Sequence, residues 1–215
     1  VSETIFSPFN MVLAVVVIVL WVVMAPMLHP KADKTVPPPA DVLDARLLDE
    51  VRVVLLAGTL AGNAALERHD GGWEVRGDPT DASFVVAEAK VSELPTPGAR
   101  FARRGEIPFT SERKLMSTVE EDLEGDLGVA VVTKGAPEAL LARCASERAD
   151  GEVRPLTDAR RADVLAAVGR LADQALRTLA VAYRSLGESN GARVDDSLER
   201  ELVYLGLVGI IDPPR

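Results

Sequence analysis

The longest apolar run of the chain is residues 11–28, which contain no charged residue. At about 1.5 Å of rise per residue, a helix of this length just crosses the hydrocarbon core of a bilayer. The run has no polar face, so the pattern favours a transmembrane helix over the alternative, a buried core helix. Basic residues occur only after the run, first at Lys31 and Lys34. The positive-inside rule therefore predicts a single-pass membrane protein whose C-terminal part is cytoplasmic.

A proline-rich linker is predicted at residues 31–43. Four of the twelve residues from His29 to Ala40 are proline, including the triplet 37–39. Proline fixes φ and lacks an N–H group, so this stretch forms neither a helix nor a central strand. The composition divides the chain into an N-terminal segment at 1–30, the linker, a globular domain at 44–205 and a last strand at 206–215.

Helical and strand patterns alternate after the linker. Helices are predicted at 44–67, from a cap at Asp78 to about Val91, at 136–144 and at 157–175. Strands are predicted at 73–76, 106–119, 128–135, 178–186 and 201–212. This irregular order predicts an α+β fold with a mainly antiparallel sheet and flanking helices.

Composition excludes several classes of function. Twenty-four basic and 33 acidic residues give a net charge of −9, which disfavours nucleic acid as a partner. One cysteine excludes an internal disulfide, and two scattered histidines provide no metal-binding pattern, so no metal site is predicted.

Four stretches carry the candidate chemistry and stand in a defined order. They are GDPTDASFVVAEAK at 77–90, PFTSERKLMS at 108–117, VVTKGAPEALL at 131–141 and LRTLAVAYR at 176–184, followed by LVGIIDPPR at 207–215. Over residues 46–215 the chain resembles the nucleotide-binding (N) domain of P-type cation-transporting ATPases. The resemblance implies that residues 206–215 lead toward a phosphorylation domain, and that the ligand is ATP or ADP, with Mg²⁺ arriving on the nucleotide.

The resemblance also implies roles for single residues. Phe109 would stack on adenine, Lys134 would line the adenine pocket, and Gly135 would leave space there. Lys114 would lie beside the nucleotide, and Arg177 would reach the phosphates. An aromatic face, cations and a glycine at a close approach are what such a site requires.

Asp81 departs from the family pattern. It stands where the family usually has a glutamate that hydrogen-bonds the adenine amino group. Aspartate is one methylene shorter, so we expect this contact to be weaker or mediated by water.

Each of these residues also has a simpler interpretation. Phe109 could be a core residue, Lys114 a solvated charge at a strand end, and Lys134 a plain turn residue. Asp78 is interpreted as a helix cap only, and Cys144 as an inert helix residue.

The phosphorylated aspartate of the family stands in an Asp-Lys-Thr-Gly-Thr context. Here Asp33-Lys34-Thr35 is followed by Val36 and prolines, so Asp33 is interpreted as a linker residue and no catalytic residue is predicted. The first 30 residues instead weakly resemble a membrane segment of short-chain fatty acid transporters. We therefore expect a truncated chain that binds ATP without hydrolysing it and that pairs with the remaining domains of a pump. The alternative is a membrane-tethered interaction module without nucleotide binding.

Overall fold

The computed structural model describes residues 45–69, 72–91, 100–125, 127–187 and 193–210. The predicted transmembrane segment at 11–28 and the linker at 31–43 lie outside these ranges. Within them, none of the helices combines the length and the apolar character needed to cross a membrane.

The described ranges contain four α-helices: α1 (Ala45–Leu60), α2 (Pro79–Val91), α3 (Pro137–Leu141) and α4 (Asp158–Ala172). The predicted start of α2 is confirmed, because the Asp78 carboxylate accepts the N–H of Thr80 at 2.8 Å and Pro79 is the first helical residue. α4 begins after Thr157, whose hydroxyl oxygen accepts the N–H of Arg160 at 3.2 Å. Local capping signals therefore place both helix starts.

The helix predicted at 44–67 is wrong beyond Leu60. Residues Ala65–His69 form strand β1, which pairs antiparallel with β2 (Gly72–Arg76). Gly62 and Asn63 follow the last helical turn, and these residue types favour helix ends over helix interiors. The apolar spacing continues past this break, so periodicity alone overestimates the length of the helix.

Seven strands form the large sheet: β3 (Phe101–Ile107), β4 (Leu115–Asp122), β5 (Val129–Gly135), β6 (Cys144–Ala149), β7 (Glu152–Pro155), β8 (Arg177–Gly187) and β9 (Leu202–Ile210). Their order across the sheet is β3-β4-β5-β8-β9-β6-β7. β6 runs parallel to β9, whereas the other neighbours are antiparallel. The fold is α+β as predicted, but the expected mainly antiparallel sheet is corrected to a mixed one. β7, α4 and β8 lie between β6 and β9 in the chain, and this long connection permits the parallel pairing.

The single strand predicted at 106–119 is also wrong. β3 ends at Ile107 and β4 begins at Leu115, and the two strands pair antiparallel. Residues 108–114 reverse the chain between them, with Pro108 at the start and Lys114 at a positive φ of 55° at the end. We call residues 108–114 the Phe109 turn.

Cys144 is the first residue of β6, so its interpretation as a helix residue is wrong. α3 ends three residues earlier, at Leu141. β6 and β7 were not predicted, because their sequences lack the apolar–polar alternation of a half-buried strand and every residue of β7 is exposed.

The large sheet separates two apolar clusters. Apolar residues of α1 and α2 pack with Val132 on one face, and those of α3 and α4 pack with Val131 on the other. Successive side chains of a strand point to opposite faces. Lys134 of β5 therefore lies on the α1–α2 face and Thr133 on the α3–α4 face.

Candidate functional site

A buried ion pair joins β5 to the first turn of α2. Lys134 Nζ lies 2.6 Å from Asp81 Oδ1, and the Lys134 side chain is only 5% exposed. Nζ also donates to the carbonyl oxygen of Gly58 at 3.2 Å. Burial lowers the pKa of Lys134, and the hydrogen bond and charge of Asp81 oppose this shift. Lys134 is therefore a paired, buried cation rather than a turn residue in solvent.

Two glycines at the end of α1 make room for this pair. A Cβ atom on Gly62 would lie 2.7 Å from Lys134 Nζ and 3.2 Å from Asp81 Oδ2. A Cβ atom on Gly58 would overlap the ring of Phe84, and Lys134 Nζ lies 5.1 Å from the centroid of that ring. Sequence analysis missed these positions. Glycine inside a helical pattern is the signal that points to such a close approach.

A polar network fixes the second oxygen of Asp81. Asp81 Oδ2 accepts the backbone N–H of Asn63 at 2.9 Å. Arg103 Nη1 donates to Asn63 Oδ1 at 2.6 Å, and Arg103 Nε donates to Glu120 Oε1 at 3.0 Å. Both carboxylate oxygens of Asp81 therefore have partners before any ligand arrives.

Lys114 and Gly135 meet where β4 and β5 pair. The N–H of Ala136 donates to the Lys114 carbonyl oxygen at 3.0 Å, and Leu115 lies opposite Gly135 in the register. A Cβ atom on Gly135 would overlap that carbonyl oxygen and lie 2.9 Å from Leu115 Cα. Only glycine fits here without moving backbone. The Lys114 side chain is exposed beside the end of the strand that carries Lys134.

Phe109 is 60% exposed, so it is not a core residue. It lies in the Phe109 turn, where the N–H of Lys114 donates to the Thr110 carbonyl oxygen at 2.8 Å. A large exposed aromatic ring on an ordered turn provides a flat surface for a ligand.

Arg177, the first residue of β8, contacts the N-terminal end of α2. Its Nη1 donates to Thr80 Oγ1 at 3.2 Å. Thr80 also donates its N–H to Asp78. The pKa of Asp78 is lowered, because the hydrogen bonds from Thr80 and the charge of Arg177 outweigh burial, which acts in the opposite direction. Asp78 is thus the helix cap that the sequence predicted.

A series of contacts connects the elements that carry the six predicted site residues. Arg177 contacts Thr80 beside Asp81, Asp81 binds Lys134, and Gly135 packs on the backbone of Lys114. The Phe109 turn, in which the N–H of Lys114 donates to the Thr110 carbonyl oxygen, leads directly into β4. An exposed aromatic ring, two exposed cations and a buried lysine–aspartate pair on these connected elements are the kinds of groups that suit a ligand with both a ring and phosphates.

Comparison with known proteins covers nearly all of the part of the chain that the structure describes. The family model described as P-type ATPase, cytoplasmic domain N, matches residues 50–215. A Calcium-transporting ATPase of Bacillus subtilis (strain 168) is 37% identical over 165 residues, which cover 75% of this chain and 18% of that protein. Calcium-transporting ATPase 1 of Bacillus cereus (strain ATCC 10987 / NRS 248) is 38% identical over 141 residues, or 65% of this chain and 15% of that protein.

A third relative extends the comparison beyond the genus Bacillus. Cation-transporting ATPase pma1 of Synechocystis sp. (strain ATCC 27184 / PCC 6803 / Kazusa) is 34% identical over 178 residues, which cover 80% of this chain and 19% of that protein. The chain spans less than a fifth of the length of each of these three relatives.

Proposed function

The chain belongs to the family of P-type ATPase cytoplasmic N domains, and from this we propose that it binds ATP or ADP at the site that contains Phe109 and Lys134. In the proposed complex, adenine stacks on Phe109 and lies against Lys134, with Gly135 leaving space beside it. Lys114 lies beside the nucleotide and Arg177 reaches its phosphates. Mg²⁺ comes with the nucleotide.

The chain of contacts from Arg177 through Asp81 and Lys134 to the Phe109 turn supports this proposal most strongly. These residues come from four separate segments, and contacts join β8 to α2, α2 to β5, and β5 to β4, the strand that follows the Phe109 turn. Lys114 and Arg177 are exposed and carry positive charge in a chain whose net charge is −9. Exposed cations on an acidic protein favour an anionic ligand near them.

Asp81 has a different role in this complex from the usual family glutamate. Its carboxylate oxygens already accept hydrogen bonds from Lys134 and from the N–H of Asn63. We propose that Asp81 orients Lys134 and contacts the adenine amino group through water.

Within a whole pump, a domain of this kind would deliver the γ-phosphate of ATP to an aspartate of a neighbouring phosphorylation domain. Three relatives that match here are named as calcium- or cation-transporting ATPases. We propose that the chain serves a cation pump in this way and binds ATP without hydrolysing it by itself. We further propose that residues 11–28 attach it to the membrane with the domain in the cytoplasm.

Titration of the full chain with ATP, followed by NMR of labelled phenylalanine, tests the binding site. Affinity in the millimolar range or somewhat better is expected, which corresponds to roughly −4 to −5 kcal/mol. Inorganic triphosphate is the control ligand, because it carries the phosphates without a ring to stack on Phe109. Saturable shifts of the Phe109 resonance with ATP, but not with triphosphate, support the proposal. Absence of shifts at several millimolar ATP contradicts it.

A further inference from the structure

A second charged cluster lies on the opposite face of the sheet from Lys134. Its centre is Glu199, whose side chain is fully buried in the connection between β8 and β9. Glu199 Oε1 accepts hydrogen bonds from Arg113 Nη1 at 2.5 Å and from Ser117 Oγ at 2.7 Å. Glu199 Oε2 accepts from Arg143 Nη1 at 2.9 Å. Removing this carboxylate would leave two arginines without their shared partner.

Arg113 connects this carboxylate to the Phe109 turn. Besides Glu199, the guanidinium binds the carbonyl oxygen of Pro108, the residue before Phe109. The N–H of Arg113 also donates to Thr110 Oγ1 at 3.3 Å. Arg113 therefore binds the residues on both sides of Phe109, Pro108 and Thr110. Because Glu199 binds the guanidinium of Arg113, it also helps to position the turn.

The turn also contains a strained residue. Lys114 has a positive φ of 55°, a conformation that residues other than glycine adopt only when surrounding contacts hold them there. Its neighbour Arg113, with a side chain only 15% exposed, provides such a contact through Glu199. Loss of Glu199 is therefore expected to release the turn rather than only to weaken a distant ion pair.

Glu199 is also linked, through Ser117 of β4, to the strand that carries Lys134. Ser117 Oγ lies 2.9 Å from Thr133 Oγ1. Because the single hydroxyl hydrogen of Ser117 is donated to Glu199, Thr133 is the donor to Ser117. Thr133 directly precedes Lys134, so one carboxylate connects to both parts of the proposed adenine site.

We propose that Glu199 is a positioning residue for nucleotide binding. Through Arg113 it fixes the Phe109 turn, so that Phe109 and Lys114 are held where the nucleotide binds. It acts from the opposite face of the sheet and touches no nucleotide. This inference rests on the proposed function of the site.

The same chain provides a matched control in Glu147 of β6. Its buried carboxylate also binds two arginines, with Arg154 Nε at 3.0 Å and Arg160 Nε at 2.7 Å. β6 pairs with β7 and β9, away from β4 and β5, and none of these partners belongs to the proposed nucleotide site. Glu147→Gln therefore removes a comparable buried charge without changing the Phe109 turn.

The experiment compares Glu199→Gln with Glu147→Gln in the full chain by three measurements: melting temperature, ATP titration, and amide hydrogen exchange of the Phe109 turn without nucleotide. We expect Glu199→Gln to weaken ATP binding at least tenfold and to speed exchange in the turn by a similar factor. Glu147→Gln should lower the melting temperature but change binding and turn exchange less than twofold. Equal effects of the two variants, or unchanged binding in Glu199→Gln, overturn the proposal.

Arg113→Lys provides the test if Glu199→Gln does not fold. Lysine keeps the positive charge but cannot bind the Glu199 carboxylate and the Pro108 carbonyl with two separate nitrogen atoms. We expect Arg113→Lys to weaken ATP binding and to speed amide exchange in the Phe109 turn as Glu199→Gln does. Unchanged binding and exchange in Arg113→Lys overturn the inference. If the unmodified chain binds no ATP, the proposed function fails together with this role in binding. If the unmodified chain binds and Glu199→Gln binds equally well, this inference alone fails.

Discussion

Among single residues, Phe109 distinguishes ligand binding from packing most directly, because 60% of its surface is exposed. We predict that Phe109→Ala weakens ATP binding by about tenfold or more, since stacking of a base on an aromatic ring contributes on the order of 1–3 kcal/mol. The melting temperature should stay close to that of the unmodified chain, because truncation of an exposed ring opens no cavity. ATP titration and a thermal melt of the same sample measure both effects.

Leu123→Ala is the matched control for Phe109→Ala. Leu123 is 57% exposed and follows β4 at the end opposite Lys114. Its truncation should change neither ATP binding nor the melting temperature. A Phe109→Ala variant that binds ATP normally contradicts the stacking role. A Phe109→Ala variant whose free energy of unfolding falls by roughly 3–5 kcal/mol, as is typical for a core phenylalanine, contradicts the exposure of this ring.

Cys144 provides a pH-dependent prediction at the same scale. Burial raises the pKa of its thiol to about 12, although the charge of Arg161 acts in the opposite direction. At pH 8.5 the native thiol is then almost entirely protonated, whereas about half of the thiols in an unfolded chain are ionised. We predict that a thiol reagent modifies the native protein far more slowly than the denatured protein. Equal rates of modification contradict the burial of Cys144.

The raised pKa of Cys144 also affects stability. Above about pH 8.5 the unfolded thiol loses its proton first, so the free energy of unfolding falls as pH rises toward 12. The contribution of the protonated Cys144 thiol to the free energy of unfolding is therefore complete below the pKa of the thiol in the unfolded chain. It is lost as the pH rises above that value. Cys144→Ala should reduce the loss of stability between pH 9 and 10.5, as measured by denaturant unfolding at each pH.

The sequence predicts the candidate ligand-binding residues but not the contacts that support them. The proposed site residues Phe109, Lys114, Lys134, Gly135 and Arg177 were predicted through motifs, since each stands inside a stretch that resembles the family. The contacts that hold their surroundings in place were not predicted. Arg103 lies 40 positions from Asn63, and Arg113 lies 86 positions from Glu199. Local patterns contain no information about contacts made over such separations.

At the scale of secondary-structure elements, the pairing of β4 with β5 depends on Gly135. A Cβ atom there would meet the backbone of Lys114 and Leu115, which cannot rotate away. We predict that Gly135→Ala lowers the free energy of unfolding by about 1–3 kcal/mol, as overpacked sites do. ATP binding should weaken as well, because Lys114 moves with its own backbone. Denaturant unfolding and ATP titration measure these changes.

Gly169→Ala is the control for Gly135→Ala. Gly169 lies in α4, and a Cβ atom there would meet nothing within 4 Å. Because alanine is a better helix former than glycine, the free energy of unfolding of this variant should rise by roughly 0.5–1 kcal/mol. Equal stability of the two variants would contradict the close approach of Gly135 to Lys114.

Helices with local start signals and the apolar strands β5, β8 and β9 were predicted well, whereas β6 and β7, whose sequences lack such a pattern, were not. The start of α2 follows from Asp78 and Pro79, and the start of α4 follows from Thr157. By contrast, β6 has its place because it pairs in parallel with β9, which follows it in the chain by more than fifty residues. The parallel pairing that makes the sheet mixed has no local signature.

At the scale of the whole molecule, the apolar run at 11–28 predicts where the domain lies in the cell. Lys31 and Lys34 follow this run, and residues 1–10 contain no lysine or arginine. On these residues the positive-inside rule predicts that the N domain lies in the cytosol, where ATP is available. Protease added to intact cells should leave the domain uncleaved until the membrane is permeabilised. Cleavage before permeabilisation contradicts this orientation.

The last prediction concerns phosphorylation of the full chain. Hydrolysis in this family proceeds through an aspartyl phosphate, which requires a carboxylate positioned for in-line attack on the γ-phosphate. Asp33 is followed by Lys34, Thr35 and then Val36, without the glycine and threonine of the family sequence. Asp81, at the proposed site, has both carboxylate oxygens engaged by Lys134 and Asn63.

Incubation of the full chain with γ-labelled ATP and Mg²⁺, followed by acid precipitation, should therefore leave no label that hydroxylamine releases. ATP titration of the same sample shows that the absence of label is not an absence of nucleotide binding. Asp33→Asn and Asp81→Asn are compared with the unmodified chain. Label that disappears in Asp33→Asn alone would identify Asp33 as the phosphorylated residue and contradict its interpretation as a linker residue. Label that disappears in Asp81→Asn alone, while that variant still binds ATP, would show that the Lys134–Asp81 pair opens to bring a carboxylate to the phosphate.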